Sequence, residues 1–190
     1  MRSILTLLLS TIVLTVFADQ RTHNNTTDSL KRNFAKSAKY PEPSNINKLF
    51  YVQRNPNANT LIYELNTLSN GELDKDQPIH TYWIRYADKG QREELSYLQR
   101  KFAYGLVSKP LNNNAYDIRF VCYKKLPLSL LKAIDGKYHI FATIAKKQAI
   151  LNRIFVRVEG GSFWLPNILY VELKGTDPAT GSEIVERFKP

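Results

Sequence analysis

The sequence predicts a mainly β domain: an antiparallel sandwich or barrel of about eight strands, with one main α-helix packed on the sheet. Three observations carry that expectation. Short runs of apolar and β-branched residues alternate with polar ones, turn-forming clusters separate the runs, and a single stretch has helical periodicity. The central strand is read at residues 78–87, where Ile79, Thr81, Trp83 and Arg85 share one side and His80, Tyr82, Ile84 and Tyr86 the other. Apolar groups on both sides of a strand require cover on both sides. The predicted helix, residues 91–104, is the natural cover for one of them. Glu93 and Glu94 fall in its first turn and Arg100 and Lys101 in its last, which suits the helix dipole. Leu95, Leu98 and Phe102 form its apolar stripe, and Gly105 stands where a left-handed C-terminal cap belongs.

The chain before this scaffold divides in two. Met1-Arg2 precedes an uncharged apolar run at residues 4–17, and Val16-Phe17-Ala18 supplies a small-residue cleavage site before Asp19. This is the three-part pattern of a secretory signal peptide, assigned to residues 1–18. The run is shorter than the roughly 20 apolar residues a membrane span needs, so no transmembrane segment is expected once the signal is removed. Residues 19–48 are rich in Asn, Thr, Ser and Lys and read as a flexible polar leader. The single β-rich domain is expected over residues 49–190.

Within it, residues 49–54 read as a strand, residues 55–59 as a turn and residues 60–66 as the antiparallel partner. Asn70-Gly71 marks a tight turn before the central strand. After the helix, Asn112-Asn113-Asn114 is a loop and residues 116–123 a strand that places Tyr116, Ile118, Phe120 and Cys122 on one side. Leu128, Leu131 and Ile134 recur at three-residue spacing, which predicts a short helix over residues 126–134, ended by Asp135-Gly136. Strands follow at residues 138–145, 153–158, 168–174 and 184–188, separated by Lys146-Lys147, Gly160-Gly161 and a loop at residues 176–181.

Chemistry is harder to find. Cys122, the one cysteine, cannot form an intramolecular disulfide and is expected as a buried structural thiol. His23, His80 and His139 lack the paired spacing of metal ligands, so no metal and no cofactor are expected. Gly160-Gly161 precedes more strand rather than a helix, which excludes a phosphate-binding loop. No nucleophile elbow or other catalytic motif is present. The net charge of +10 marks a basic protein and favours an anionic partner. Its cations never cluster beyond pairs, which argues against nucleic acid.

Leu49-Phe50-Tyr51-Val52-Gln53-Arg54-Asn55, Tyr82-Trp83-Ile84, residues 95–105 and Glu186-Arg187-Phe188-Lys189-Pro190 resemble an uncharacterised family of exported bacterial single-domain proteins, a domain of unknown function. The resemblance implies an envelope or secreted location and one domain, and it carries no catalytic residue with it.

The expected function is therefore that of an exported, periplasmic or extracellular, non-enzymatic β-domain that binds a ligand or envelope partner, a glycan or other anionic surface. The alternatives are a small secreted hydrolase of envelope polymers and a structural envelope component. The expected binding residues are Arg54, Asn55, Asn57 and Asn59, which concentrate a cation and three amides in one turn, with Trp83 and Tyr104 as an apolar wall. Asn is also ordinary turn chemistry, and aromatics such as Trp83, Tyr104, Phe163 and Trp164 are ordinary strand residues.

Overall fold

A computed structural model describes residues 40–44, 47–161 and 166–190. The expected signal peptide and cleavage site, most of the leader, His23, and the pair Phe163-Trp164 lie outside the described residues. Residues 40–190 form one compact unit.

The chain alternates strands and short connections: β1 (Lys48–Arg54), β2 (Thr60–Leu65), β3 (Ile79–Ile84), β4 (Arg92–Glu94), the helical turn α1 (Tyr97–Gln99), β5 (Leu106–Pro110), β6 (Tyr116–Phe120), β7 (Leu128–Lys132), β8 (Tyr138–Ile144), β9 (Lys147–Gly161), β10 (Pro166–Thr176) and β11 (Glu183–Phe188). All eleven described strands belong to one sheet. Nine follow a single path, β4-β3-β2-β1-β9-β8-β7-β6-β5, and β10 and β11 branch from β9. The sheet curls into a half-barrel, so the domain is mainly β as expected.

Strand β9 is the junction that makes the curl. Its first residues pair with β8 (Ala142 with Ala149) and its middle with β1 (Val52 with Ile154), so β8 and β1 follow one another along one edge. Strand β10 runs along the opposite edge from Ile150 to Gly161. The β1–β9 pair is parallel, an exception to the expected antiparallel arrangement. A parallel pair needs a long crossover, and here everything between Arg54 and Lys147 supplies it. No local signal marks such a pair.

Inside the curl, Phe50, Leu61, Tyr63 and Trp83 from β1–β3 meet Ile118, Phe120, Leu130 and Ile140 from the opposite wall. Phe50 stacks on Tyr63 at 4.4 Å between ring centroids, and both rings meet Phe120 edge-on. The alternation in β3 holds: Trp83 faces this core and Tyr82 the other side, and both are buried.

The predicted long helix is not formed. Arg92–Glu94 instead extends the sheet against Tyr82–Ile84. The acidic residues that suited a helix start serve across the strands: Glu93 takes two hydrogen bonds from Arg85 at 2.7 Å, and Glu94 meets His80. Ser96 caps α1 and forms a reciprocal box with Gln99, but after Gln99 the backbone widens into a π-helical turn, Arg100–Tyr104. Only Leu95 of the expected stripe is buried; Leu98 and Phe102 are exposed. Pairing with the free edge of β3 outweighs a weak helical preference.

Two further expectations are corrected. Residues 128–132 form a strand, not a helix, because Leu128 and Leu130 point inward between β6 and β8, whereas Ile134 is fully exposed. Cys122 is exposed rather than buried in the core, because the strand stops at Phe120 and the chain bends away. Neighbouring atoms still desolvate its sulfur partly and push the thiol pKa up, which keeps it protonated near neutral pH.

Candidate functional site

The outer face of the sheet carries the densest polar chemistry among the described residues. Strand registers place two complete rows across seven strands, from β4 to β11. One row reads Glu94, Tyr82, Ile62, Tyr51, Arg153, Lys174, Val185; the next reads Arg92, Ile84, Thr60, Gln53, Phe155, Glu172, Arg187. Tyr51, Ile62 and Tyr82 form a small apolar cluster of their own. Cations lie over rings along this face: Arg92 over Tyr82 at 3.6 Å, Arg153 over Phe155 at 4.8 Å, Lys48 over Tyr51 and Arg187 over Tyr170 at 5.0 Å each.

At the β4 end these rows build a cluster around His80. Its Nδ1 lies 3.2 Å from Glu64 Oε1 and its Nε2 lies 2.7 Å from Glu94 Oε2. Arg92 closes the ring of contacts, with its Nη2 3.1 Å from His80 Nδ1 and 3.3 Å from Glu64, and its Nε 3.2 Å from Glu94. The Tyr82 hydroxyl donates to Glu64 at 3.3 Å. Glu64 sits low in the face, with 13% of its side chain exposed, while Arg92 and Glu94 reach solvent with 48% and 53%. Partial burial works to raise the Glu94 pKa, but the hydrogen bonds and charges of His80 and Arg92 outweigh it and hold the carboxyl below its usual value. Glu93, bonded to Arg85, is held down in the same way.

The imidazole lies between the two carboxylates, one at each ring nitrogen. No group of three or more His, Cys, Asp or Glu side chains among the described residues is arranged to hold a metal ion. A second charged group sits at the other end of the rows, where Glu172 is 2.7 Å from Arg187 and 3.7 Å from Arg153.

The residues singled out from the sequence occupy different places. Asn55 joins the strand system: its amide donates to Val158 O and accepts from Val158 N, both at 2.6 Å. Asn57 accepts from the Asn59 backbone at 3.1 Å and closes its own turn, whereas Asn59 accepts from Ala87 N at 3.0 Å and ties the turn to the segment after β3. Arg54 is exposed. Trp83 is 5% exposed and faces the core, with the Tyr104 ring edge-on at 5.1 Å. Trp83 and Tyr104 are thus brought together, but on the inner side of the sheet, and the three amides are engaged in bonds within the chain.

Asn55→Ala is therefore expected to cost about 1–3 kcal/mol, because it leaves two partly buried backbone groups on β9 unpaired. Asn57→Ala is expected to stay within about 0.5 kcal/mol. Urea unfolding of both variants checks the contrast.

Sequence alone does not bring His80, Glu64, Glu94 and Arg92 together. Their shared signal is parity: each falls on the outward side of its strand. Parity alone does not pair residues 14 and 16 positions apart; the register does, and two irregular connections set it.

The fold and the cluster define a class: a single-sheet, half-barrel β domain with a histidine–carboxylate–arginine network on its outer face. The chain belongs to the family described as domain of unknown function (DUF4833), whose model matches residues 50–187. No curated protein and no solved structure matches it.

Proposed function

We propose that this domain is the non-catalytic binding module of an exported protein, and that its ligand is an acidic glycan held on the outer face at β3 and β4. The observation that carries this reading is the alternation of donors and acceptors around His80. Arg92 and Glu94 present both kinds of group to solvent beside the covered ring of Tyr82. A sugar hydroxyl needs a donor and an acceptor together, and a sugar carboxylate suits the guanidinium edge. A site for a simple polyanion would leave its cations unneutralised, and here Arg92, the cluster's one guanidinium, already faces Glu64 and Glu94.

The bonding of His80 also favours binding over turnover. A general base needs one ring nitrogen directed at substrate, and both nitrogens of His80 face carboxylates. The small secreted hydrolase remains the alternative reading, since withdrawal of the exposed Glu94 would leave a Glu64–His80 dyad of the kind that activates nucleophiles. Export rests on the apolar run at residues 4–17 with Ala18 behind it. Among the described residues no helix is long and apolar enough to cross a membrane.

Calorimetric titration with a hyaluronan octasaccharide, against maltoheptaose as the neutral comparison, tests the proposal. The acidic sugar is expected to bind and the neutral one to bind at least tenfold more weakly. Arg92→Ala should weaken the acidic sugar by about 10- to 100-fold, the worth of a charge-assisted hydrogen bond. Equal affinity for wild type and Arg92→Ala removes the site. Shortening of the octasaccharide, seen by mass spectrometry and abolished by His80→Ala, replaces the binding module with the hydrolase.

A further inference from the structure

We infer that the outer face around Gln53 is a binding groove for an extended, proline-containing peptide segment, and that residues 40–44 are its resident occupant, exchangeable for the same chemistry in trans. This site lies on β1 and β9, and the inference is independent of the glycan reading.

Gln53 is 2% exposed, and both ends of its amide are committed. Its Nε2 donates to Thr60 Oγ1 at 3.0 Å and to the carbonyl of Pro41 at 2.8 Å, and its Oε1 accepts from Arg153 Nε at 2.9 Å. One donor of a buried amide is thus reserved for a carbonyl that the sheet itself does not supply. A second donor repeats the pattern, for Lys48 Nζ bonds the Pro43 carbonyl at 2.6 Å while lying over the Tyr51 ring. The Tyr40 ring meets Phe155 edge-on at 5.1 Å. Burial along the segment is that of an extended chain, with Pro43 buried between exposed Glu42 and Ser44.

What the groove reads is therefore an aromatic ring followed by backbone carbonyls presented at every second residue. Proline suits that task twice over. It needs no partner for a missing N–H, and it holds the chain extended before binding, so little entropy is lost on docking. The receptor residues Gln53, Arg153 and Phe155 fall inside the family-matched residues, whereas Lys48 and the occupant fall outside them. The Gln53 side of the groove belongs to the family domain, and the segment that fills it here, with Lys48, belongs to the chain's own approach to the matched residues. Few residues separate Ser44 from Lys48, so the resident segment competes at an effective concentration on the order of millimolar. A partner in trans must overcome that advantage.

The test uses the full chain and a fluorescent peptide with the sequence of residues 38–45, followed by anisotropy. Tyr40→Ala weakens the resident segment and is expected to bind the peptide at least tenfold more tightly than wild type. Adding Gln53→Ala should abolish the gain, and a peptide with glycine at both proline positions should bind at least tenfold more weakly. Circular dichroism accompanies each variant, and if Gln53→Ala fails to fold, Phe155→Leu takes its place in the same background. Equal binding to wild type and Tyr40→Ala, or a gain that survives the change in the groove, overturns the proposal. Loss of folding in Tyr40→Ala also overturns it, because the segment would then be a permanent part of the core and not an exchangeable occupant.

Discussion

Phe50→Ala is expected to destabilise the domain by about 3–5 kcal/mol, the range for removing a fully buried aromatic ring. Phe50 has no exposed surface, and its ring lies parallel to that of Tyr63, its cross-strand partner. The loss does not stop at one cavity. Both rings meet Phe120 from the opposite wall, and the Tyr63 hydroxyl donates to the carbonyl of Tyr104 at 2.8 Å. Removing Phe50 therefore loosens the contact between β1–β2 and β6, and frees the ring that anchors the π-helical turn. A Tm drop on the order of 10 °C should accompany the change. Val185→Ala, on the exposed edge strand, is the control and is expected to stay within about 0.5 kcal/mol. Calorimetry of the two variants decides the matter; a loss under 1 kcal/mol for Phe50→Ala would mean that the three-ring cluster does not join the walls.

This ring cluster also marks how far the sequence is legible. The alternation of Phe50 with Tyr51, and of Tyr82 with Trp83, tells which side chains share a face, because the strand period is two whatever the neighbours are. It does not tell which strand lies opposite. The parallel pairing of β1 with β9 joins residues about a hundred positions apart, and only the closed core selects it. Residues 91–104 do not form the expected helix for a related reason. Their charges satisfy the helix pattern and the cross-strand pattern equally, and His80 on β3 and Arg85 just after it decide between them. Leu128, Leu130 and Leu131 fit either period, and the two flanking strands choose. The polar cluster at His80 is invisible for the same cause: its members are ordinary strand residues until the register places them together. The turn at residues 54–59 was conspicuous by composition, yet the structure uses its amides to hold β9 and the segment after β3.

Gly105→Ala is expected to cost about 3 kcal/mol or more, although the backbone at Gly105 is one that any residue adopts. Its φ of −71° and ψ of 165° are extended, not the left-handed cap the sequence suggested. Space is the constraint. A Cβ there would sit 2.0 Å from the carbonyl oxygen of Arg100 and 2.9 Å from its carbonyl carbon. Neither side can yield cheaply. Arg100 is held by its backbone N–H, which donates to Ser96 O, and by its guanidinium, which donates to Leu95 O, and the Gly105 carbonyl accepts from Val121 N. Overpacking against side chains costs about 1–3 kcal/mol, and here the obstacle is backbone, so the cost lies at or above the top of that range. Gly71→Ala makes the opposite comparison, since Gly71 has a φ of 81° and open space around it. That change should cost only the left-handed strain, about 1–2 kcal/mol. Urea unfolding ranks the two. Hydrogen exchange at Val121 then locates the damage, because a turn displaced by the new methyl group must pull Gly105 O away from that amide and raise its exchange rate. An unchanged Val121 amide with a full loss of stability would place the strain elsewhere, and a loss below 1 kcal/mol would mean that the π-helical turn unwinds freely and bears no part of the fold.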